Sequence, residues 1–271
     1  MSLHCPIARQ ALRIIMLLLA SLFACRGQPK SEVRPPKLID PVEGRKEGCA
    51  LAAELLAQQP ERDSTNSGVL EIHESTGQRR LVPMRFKVVT GQTNWLSIYE
   101  AMTNASTESA GVRLTVVHTQ GQPNEYWLSA IVPAEAIFQG RHSVSGNRTM
   151  IPFAGSDFWI EDLGLEFLHW PEQRLLKKEM RRGQSCEVLE SINPNTAAGA
   201  YSRVVSWLEI ESPHGIVHVD AYDSRNQLLK EFDPKKLEKH DGQWQPEKLE
   251  IRNRQTGSRT YIEYDLSHLD N

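Results

Sequence analysis

The sequence predicts an α+β fold in which one large curved antiparallel β-sheet is covered by short helices. Apolar and polar residues alternate along a long series of short segments, which is typical of half-buried strands. Glycine-containing turns separate many of these segments, as in a sheet that grows by hairpins. Strands and helices do not alternate along the chain, so a doubly wound parallel sheet is excluded.

One helix is expected before the strands, at residues 48–59. Leu51, Leu55 and Leu56 recur there at helical spacing, and Pro60 follows at the point where the helix would end. The shared side of these leucines is apolar, so we expect it to cover another surface of the protein.

The segments with a period of two predict the strands themselves. They lie at residues 69–73, 84–88, 95–99, 112–116, 126–131, 175–180, 186–192, 203–210, 215–222, 227–232, 244–251 and 259–266. Further helical turns are expected in the less regular region 133–168, between the two series of strands. We therefore expect a single domain over residues 48–271.

Residues 1–24 have the features of a secretory signal peptide. Arg9 and Arg13, with no acidic residue near them, precede an apolar segment of ten residues at 14–23. This run is shorter than the roughly 20 apolar residues with which a helix crosses a bilayer. The chain is therefore expected to be exported.

The residues Leu-Phe-Ala-Cys at 22–25 resemble the lipobox of bacterial lipoproteins, although Phe23 stands where a small or hydroxyl residue is usual. This resemblance implies that Cys25 is lipidated and becomes the membrane-attached first residue of the mature protein. Ordinary cleavage nearby would instead leave Cys25 as an incidental thiol. In enteric bacteria an Asp after the Cys favours retention in the inner membrane. Arg26 therefore favours the outer membrane, with the protein facing the periplasm.

Residues 25–47 are rich in proline and charge and have little to bury, so they are expected to form an extended tether. The formal net charge of the chain is −3, and removal of the two arginines of the signal peptide makes it more negative. This balance gives no indication of a nucleic-acid partner. We expect a monomer.

Cys49 and Cys186 are the two cysteines of the expected domain. Disulfides persist in exported proteins, and a bridge closing a loop of this length would add about 4 kcal/mol by restricting the unfolded chain. We expect this bridge, with two separate buried thiols as the alternative. The chain has no Cys-x-x-Cys and no clustering of Cys with His, so neither cysteine is expected to bind a metal or act as a redox centre.

Four segments resemble motifs of the bacterial outer membrane lipoprotein-sorting proteins, relatives of the LolA and LolB carriers. FAGSDFWIEDL at 153–163 is similar to the signature Gly-(Thr/Ser)-Asp-Phe-x-x-Glu-Asp-Leu, and YSRVVSWLEI at 201–210 is similar to a Val-x-x-Trp strand. YDSRNQLLK at 222–230 resembles a Tyr-Asp-x-x-Gly-x-x-x-Lys hairpin, with Asn226 in place of Gly, and WQP at 244–246 resembles a Trp-x-Pro strand start. On the order and spacing of these motifs, the chain is identified as a member of this family.

The resemblance implies a half-open barrel of eleven strands, lined by apolar side chains and covered by helices, that binds lipid or the acyl chains of lipoproteins. Membrane-attached members are acceptors rather than diffusing carriers, which agrees with a lipidated Cys25. Trp95, Phe158, Trp159 and Trp207 are candidates to contact the ligand. The alternative is an envelope scaffold or interaction lipoprotein whose barrel is filled, because periodicity alone cannot separate a filled core from an open groove.

Asp157, Glu161 and Asp162 are the best candidates for carboxylate chemistry. On a short helix, Asp157 is expected to cap the N-terminus while Glu161 and Asp162 face water. Acid–base catalysis and calcium binding are the alternatives.

His214 and His218 are four residues apart, but Pro213, Gly215 and the start of a strand separate them, so no metal site is expected there. Motifs of metalloproteases, serine hydrolases and nucleotide-binding loops are absent from the sequence. We therefore expect a protein that is not an enzyme and needs no cofactor.

Overall fold

The computed structural model describes residues 37–102, 111–131, 141–211, 214–240 and 243–265. The expected signal peptide, the lipidated Cys25 and the tether up to residue 36 lie outside these residues.

Thirteen strands of the described residues form one antiparallel sheet, so the predicted fold class is confirmed. The strands are β1 (Ser64–His73), β2 (Arg79–Thr90), β3 (Asn94–Met102), β4 (Gly111–Thr119), β5 (Glu125–Ile131), β6 (His142–Val144), β7 (Glu172–Arg181), β8 (Gln184–Ile192), β9 (Arg203–Glu209), β10 (Ile216–Tyr222), β11 (Leu228–His240), β12 (Gln243–Asn253) and β13 (Arg259–Asp265). The implied number of eleven strands is too low. The three-residue β6 was not predicted because it is too short to show an alternating pattern.

The strand order is β6-β5-β4-β3-β2-β1-β13-β12-β11-β10-β9-β8-β7. The chain therefore starts in the middle of the sheet and runs outward by hairpins to β6 at one edge. Residues 145–171, which we call the crossing segment, lead from β6 to β7 at the opposite edge. The chain then returns by hairpins to the middle, where β13 pairs with β1.

The crossing segment carries three short helical elements. These are a 3-10 helix (Gly146–Thr149), the helix α2 (Ile160–Gly164) and a second 3-10 helix (Glu166–His169). They confirm the expected helical turns in this region, of which residues 133–140 lie outside the described part.

The two faces of the sheet differ in chemistry. The inner face, against which the crossing segment packs, carries an apolar cluster that includes Leu70, Leu114 and Ile262. The outer face carries charged residues from the alternate positions. Glu100, almost fully buried, pairs there with Lys87 at 3.3 Å and Arg113 at 2.7 Å.

The helix α1 (Pro41–Ala57) begins seven residues before the predicted residue 48. Asp40 caps it, because its side chain accepts hydrogen bonds from the backbone N–H groups of Val42 (2.9 Å) and Glu43 (3.3 Å). Pro41 occupies the first turn, where it costs no hydrogen bond. The assignment of residues 41–47 to an extended tether is therefore wrong. In the described residues, no helix has both the length and the apolar character needed to cross a membrane.

Two glycines one turn apart allow α1 to lie directly on the backbone of β7. A Cβ atom at Gly44 would come within 2.5 Å of the carbonyl oxygen of Leu175, and one at Gly48 within 2.6 Å of its nitrogen. Just before the helix, the N–H of Ile39 donates to the carbonyl of Leu176 at 2.9 Å. The contact with β7 thus requires residues without side chains at both positions.

We predict that Gly48→Ala destabilises the protein. In an exposed helix, replacing Gly with Ala increases the free energy of unfolding by at most about 1 kcal/mol. Here the new methyl group would overlap rigid backbone, which costs about 1–3 kcal/mol. Urea denaturation should show a net loss of stability, whereas Ala50→Ser, an exposed change on the same helix, should alter the free energy of unfolding by less than about 0.5 kcal/mol. A more stable Gly48→Ala variant would contradict the described contact.

Candidate functional site

A groove of about 940 Å³, which we call the main groove, lies on the inner face of the sheet. One wall is the apolar side of α1, including Ala52 and Leu56. The opposite wall comes from β2 and β3, with Phe86 and Trp95. The loop between β4 and β5 and the end of the crossing segment close the remaining sides, through residues 119–124, 163–165, 168–171 and 173.

The lining of the main groove is uncharged. None of the described residues that line it is Asp, Glu, Lys or Arg, although these types make up 24% of the whole chain. Its polar groups are neutral amides and hydroxyls together with His118 and His169. Burial lowers the pKa of His118 to about 4 and also lowers the pKa of His169, so both imidazoles are neutral at pH 7.

Trp95 is held in place at the groove by two neighbours. Its ring stacks on that of His118 with a centroid distance of 3.7 Å. His118 Nε2 and Ser97 Oγ are in turn hydrogen-bonded at 3.2 Å. The three residues lie on adjacent strands of the inner face, so the sheet itself fixes the indole.

The crossing segment is tied to β3–β5 by buried hydrogen bonds. Tyr99 Oη donates to the carbonyl of Leu163 at 3.0 Å, and Tyr126 Oη donates to Glu166 Oε2 at 2.8 Å. A Cβ atom at Gly164 would lie 2.2 Å from Tyr126 Oη, so this approach requires glycine. Burial raises the pKa values of Tyr126 and Glu166. These contacts fix one wall of the main groove.

The carboxylates of the signature motif do not have the predicted positions. Asp157 accepts hydrogen bonds from Ser258 Oγ (2.6 Å) and Thr260 Oγ1 (2.9 Å), so it links the crossing segment to β13 and does not cap a helix. The N-terminus of α2 is instead capped from within, because Asp162 Oδ2 accepts the backbone N–H of Trp159 at 2.7 Å. The expected capping role of Asp157 is therefore wrong.

Asp162 and Lys230 bring two of the family-like motifs together in the interior. Lys230 Nζ donates to the carbonyl of Asp157 at 2.7 Å and to Asp162 Oδ2 at 3.4 Å, and it lies 3.6 Å from the ring centroid of Trp159. Tyr201 Oη donates to Asp162 Oδ1 at 3.0 Å. Burial lowers the pKa of Lys230 to about 8. A cavity of about 20 Å³ beside this cluster has room for about one water molecule.

Glu161 is also buried, with 1% of its surface exposed, so the expectation that Glu161 and Asp162 face water is wrong. Its Oε2 accepts a hydrogen bond from Thr149 Oγ1 at 3.1 Å, while Oε1 has no partner among the described residues. Burial is the main cause that raises the pKa of Glu161 to about 8, and the neighbouring charge of Asp162 raises it further. Glu161 is therefore a neutral acid at pH 7.

Of the four aromatic residues expected to contact a ligand, only Trp95 lines the main groove. Phe158 is part of the core, and Trp159 stacks on Tyr201 at a centroid distance of 4.5 Å. Trp207 lies on the outer face, where its indole N–H donates to Glu179 Oε1 at 2.6 Å. The prediction is wrong for these three as groove residues. Phe158 and Trp159 belong to the crossing segment and pack in the interior. Trp207 points to the face opposite the groove, because neighbouring positions of a strand point to opposite faces.

The expected disulfide between Cys49 and Cys186 is absent, and both thiols are free. Cys49 lies on α1 at the main groove, with its Sγ 3.9 Å from the carbonyl of Gln173. Cys186 is buried on the outer face beside Val188 and Trp207. The sheet separates the two side chains, and sequence spacing carries no information on this.

We predict that Glu161→Gln changes the pH dependence of stability. A carboxyl with an ordinary pKa of 4.5 when unfolded and of about 8 when folded binds its proton more tightly in the folded state. The free energy of unfolding therefore falls as pH rises through this interval. Gln has the same shape as Glu but does not titrate. The free energy of unfolding of the variant, relative to that of wild type, should therefore increase by at least about 1 kcal/mol between pH 5 and pH 8.

Urea denaturation at both pH values measures this difference. Ala50→Ser, an exposed change on α1 that involves no carboxyl group, is the control and should show the same pH dependence as wild type. Equal pH dependence of Glu161→Gln and wild type would show that Glu161 is charged in the folded protein.

No curated protein matches the chain. Among solved structures, it is similar to a DUF1329 family protein from Desulfovibrio piger (22% identity, TM-score 0.65) and to a domain provisionally named as an outer membrane lipoprotein-sorting protein from Vibrio parahaemolyticus (22%, 0.66). It is also similar to a LolA superfamily protein from Nitrosomonas europaea (17%, 0.54). Each similarity covers 82% of this chain and 91% of the other.

A protein-family model with the description "Uncharacterized protein" matches residues 103–271, which is more than half of the chain. The structural similarities agree with the resemblance seen in the sequence motifs. The chain therefore belongs to the family that this model describes, and its fold is the LolA-like fold.

Proposed function

We propose that the protein binds the acyl chains of lipids or lipoproteins in the main groove, for lipoprotein sorting or lipid transfer at the outer membrane. The observation that carries this proposal is the uncharged lining of a groove of about 940 Å³. An acyl chain gains about 0.8 kcal/mol for each methylene removed from water and needs no charged partner. A charged ligand would lose its hydration in this groove without compensation.

The names of two structural relatives agree with this proposal. One is named for outer membrane lipoprotein sorting and the other for the LolA superfamily. The proposal places this chain in the bacterial envelope, facing the periplasm, as a monomer attached to the membrane through Cys25. Trp95 is the aromatic residue that we propose to contact the acyl chains.

The groove supports binding rather than catalysis. Its titratable groups in the described residues are His118, His169, Tyr99 and Cys49. Both imidazoles are held neutral, and burial raises the pKa of Tyr99. Acid–base catalysis requires a group with a pKa near the working pH, and each of these shifts moves the pKa away from neutral pH. We therefore propose a carrier or acceptor that is not an enzyme.

We predict that the protein co-purifies with lipid and that Ala53→Asp weakens this binding. Both Ala53 and Ala50 are exposed on α1, but only Ala53 lines the main groove. A carboxylate at position 53 would have to lose water when an acyl chain binds, so the affinity for a fluorescent fatty acid should fall by about tenfold or more. Ala50→Asp introduces the same charge outside the groove and should change affinity less than about twofold.

Full-length protein with Cys25→Ala, purified from periplasm without detergent, is the material for this measurement. Native mass spectrometry should show added mass that organic extraction identifies as phospholipid or acylated peptide. A clean apo mass, with no uptake of added fatty acid, would overturn the carrier proposal and favour a scaffold function.

We also predict that cells producing the wild-type chain incorporate labelled palmitate into it and that Cys25→Ala abolishes the label. Wild-type protein should fractionate with the outer membrane, and the variant should be released with the soluble periplasmic proteins. Cys49→Ala is the matched control and should keep both the label and the membrane location. Label retained in Cys25→Ala would contradict lipidation at this position.

A further inference from the structure

A histidine and three carboxylates meet on the outer face of the sheet, on the side opposite the main groove. Asp220 on β10 stands directly across from Glu231 on β11. His218, two residues before Asp220 on β10, is hydrogen-bonded to Asp233, two residues after Glu231 on β11. The pairing of the two strands therefore forms a compact block of metal-binding residue types.

Three side chains of this block can reach one ion. A ligand atom from each of His218, Asp220 and Glu231 lies within 4.8 Å of the other two. Zinc ligands at about 2.0–2.2 Å from the ion in a tetrahedral arrangement are roughly 3.4 Å apart, so small side-chain rotations suffice. Within the described part of the chain, these three residues form the group of metal-binding side chains whose ligand atoms lie this close together.

The remaining atoms of the three side chains are held by neighbours. His218 Nδ1 is hydrogen-bonded to Asp233, which leaves Nε2 directed at Asp220 Oδ1, 2.7 Å away. Asp233 is itself fixed by Arg182 at 2.8 Å. A carboxylate on the far nitrogen of a histidine is the arrangement that orients metal-binding imidazoles in proteins.

The two carboxylate ligands have supporting partners as well. Tyr222 Oη donates to the second oxygen of Asp220 at 3.2 Å, and Arg254 forms an ion pair with Glu231. His218 and Asp220 are both buried, with 3% and 8% of their surfaces exposed, whereas Glu231 is half-buried. An ion can therefore enter from solvent on the side of Glu231.

We propose that His218 Nε2, Asp220 and Glu231 bind a divalent transition-metal ion, zinc being the probe that best suits one imidazole and two carboxylates. The ion takes the place of the proton between His218 Nε2 and Asp220, and water completes its coordination. It joins β10 to β11, whose inner-face residues Ala221, Lys230 and Phe232 border the small buried cavity. The site is independent of the proposed acyl-chain groove.

The sequence contains a signal for this site that a search for paired histidines misses. His218 and Asp220 are two apart on one strand, so they share a face, and a hairpin then places Glu231 across from Asp220. The expectation that no metal site is formed considered His214 as the partner of His218. His214 instead contacts the carbonyl of Glu209 at 2.8 Å and Glu54 at 3.2 Å.

Zinc titration of the full-length Cys25→Ala protein, after treatment with EDTA, tests the proposal. Isothermal titration calorimetry should show one Zn²⁺ per chain, and Zn²⁺ should raise the melting temperature. His218→Gln should abolish this binding, and Glu231→Gln should weaken it by about tenfold or more. Glu231 is closer to the surface than His218, so its variant keeps the test valid if His218→Gln fails to fold.

His214→Gln and Glu263→Gln are the matched controls. Glu263 forms an ion pair with Lys248 across two strands of the same sheet, so its variant removes a comparable charge away from the site. Both controls should bind zinc as the wild type does. Absence of stoichiometric zinc binding, or equal binding by wild type and Glu231→Gln, would overturn the proposal.

Discussion

The chain has to cross its own sheet, from β6 at one edge to β7 at the other, and the rest of the structure depends on this crossing. Because β1 and β13 pair in the middle, each half of the sheet ends at an outer strand. The chain crosses over the inner face, where the crossing segment buries the apolar residues of the strands. The crossing segment therefore supplies the second layer of the protein, and its position determines which part of the inner face becomes core and which part stays open as the main groove.

Polar contacts hold the crossing segment where apolar packing alone would allow it to slide. Asp157 is hydrogen-bonded to Thr260 of β13, and Asp162 is hydrogen-bonded to Lys230 of β11. Glu166 is hydrogen-bonded to Tyr126 of β5. These contacts reach strands on both sides of the sheet centre. Buried polar groups of this kind are costly to leave unpaired, so they specify one position of the segment rather than add much net stability.

The sequence predicted twelve of the thirteen strands because alternation of apolar and polar residues reports directly on a sheet with one apolar face. It did not predict the start of α1, since Pro41, Gly44 and the charged residues at 43 and 45–47 have the composition of a tether. Only the contact with the backbone of β7 shows why two glycines occur there. Local residues define a helix cap, but a glycine that allows close approach is explained by a partner far along the chain.

The candidate site was harder to predict than the fold, because its contacts also join residues that are far apart in the sequence. Asp162 meets Lys230 across 68 residues, and nothing near Asp162 in the sequence indicates a buried cation. Trp207 was expected in the groove as one of the large aromatic residues. Val204, Val205 and Leu208 around it are all apolar, so the pattern of the strand does not reveal its orientation. Both faces of β9 are buried, and in such a strand periodicity does not decide which residues point inward.

The contact between α1 and β7 also bears on the exposure of the sheet edge. Strands at the edge of a sheet offer unpaired backbone groups to other chains. In the described residues β6 has only three residues, too few to template a neighbour, whereas β7 has ten. The glycines of α1 place a helix against the backbone of Leu175 on that long edge. A helix that forms one wall of the main groove therefore also blocks the edge at which two copies of the sheet could join.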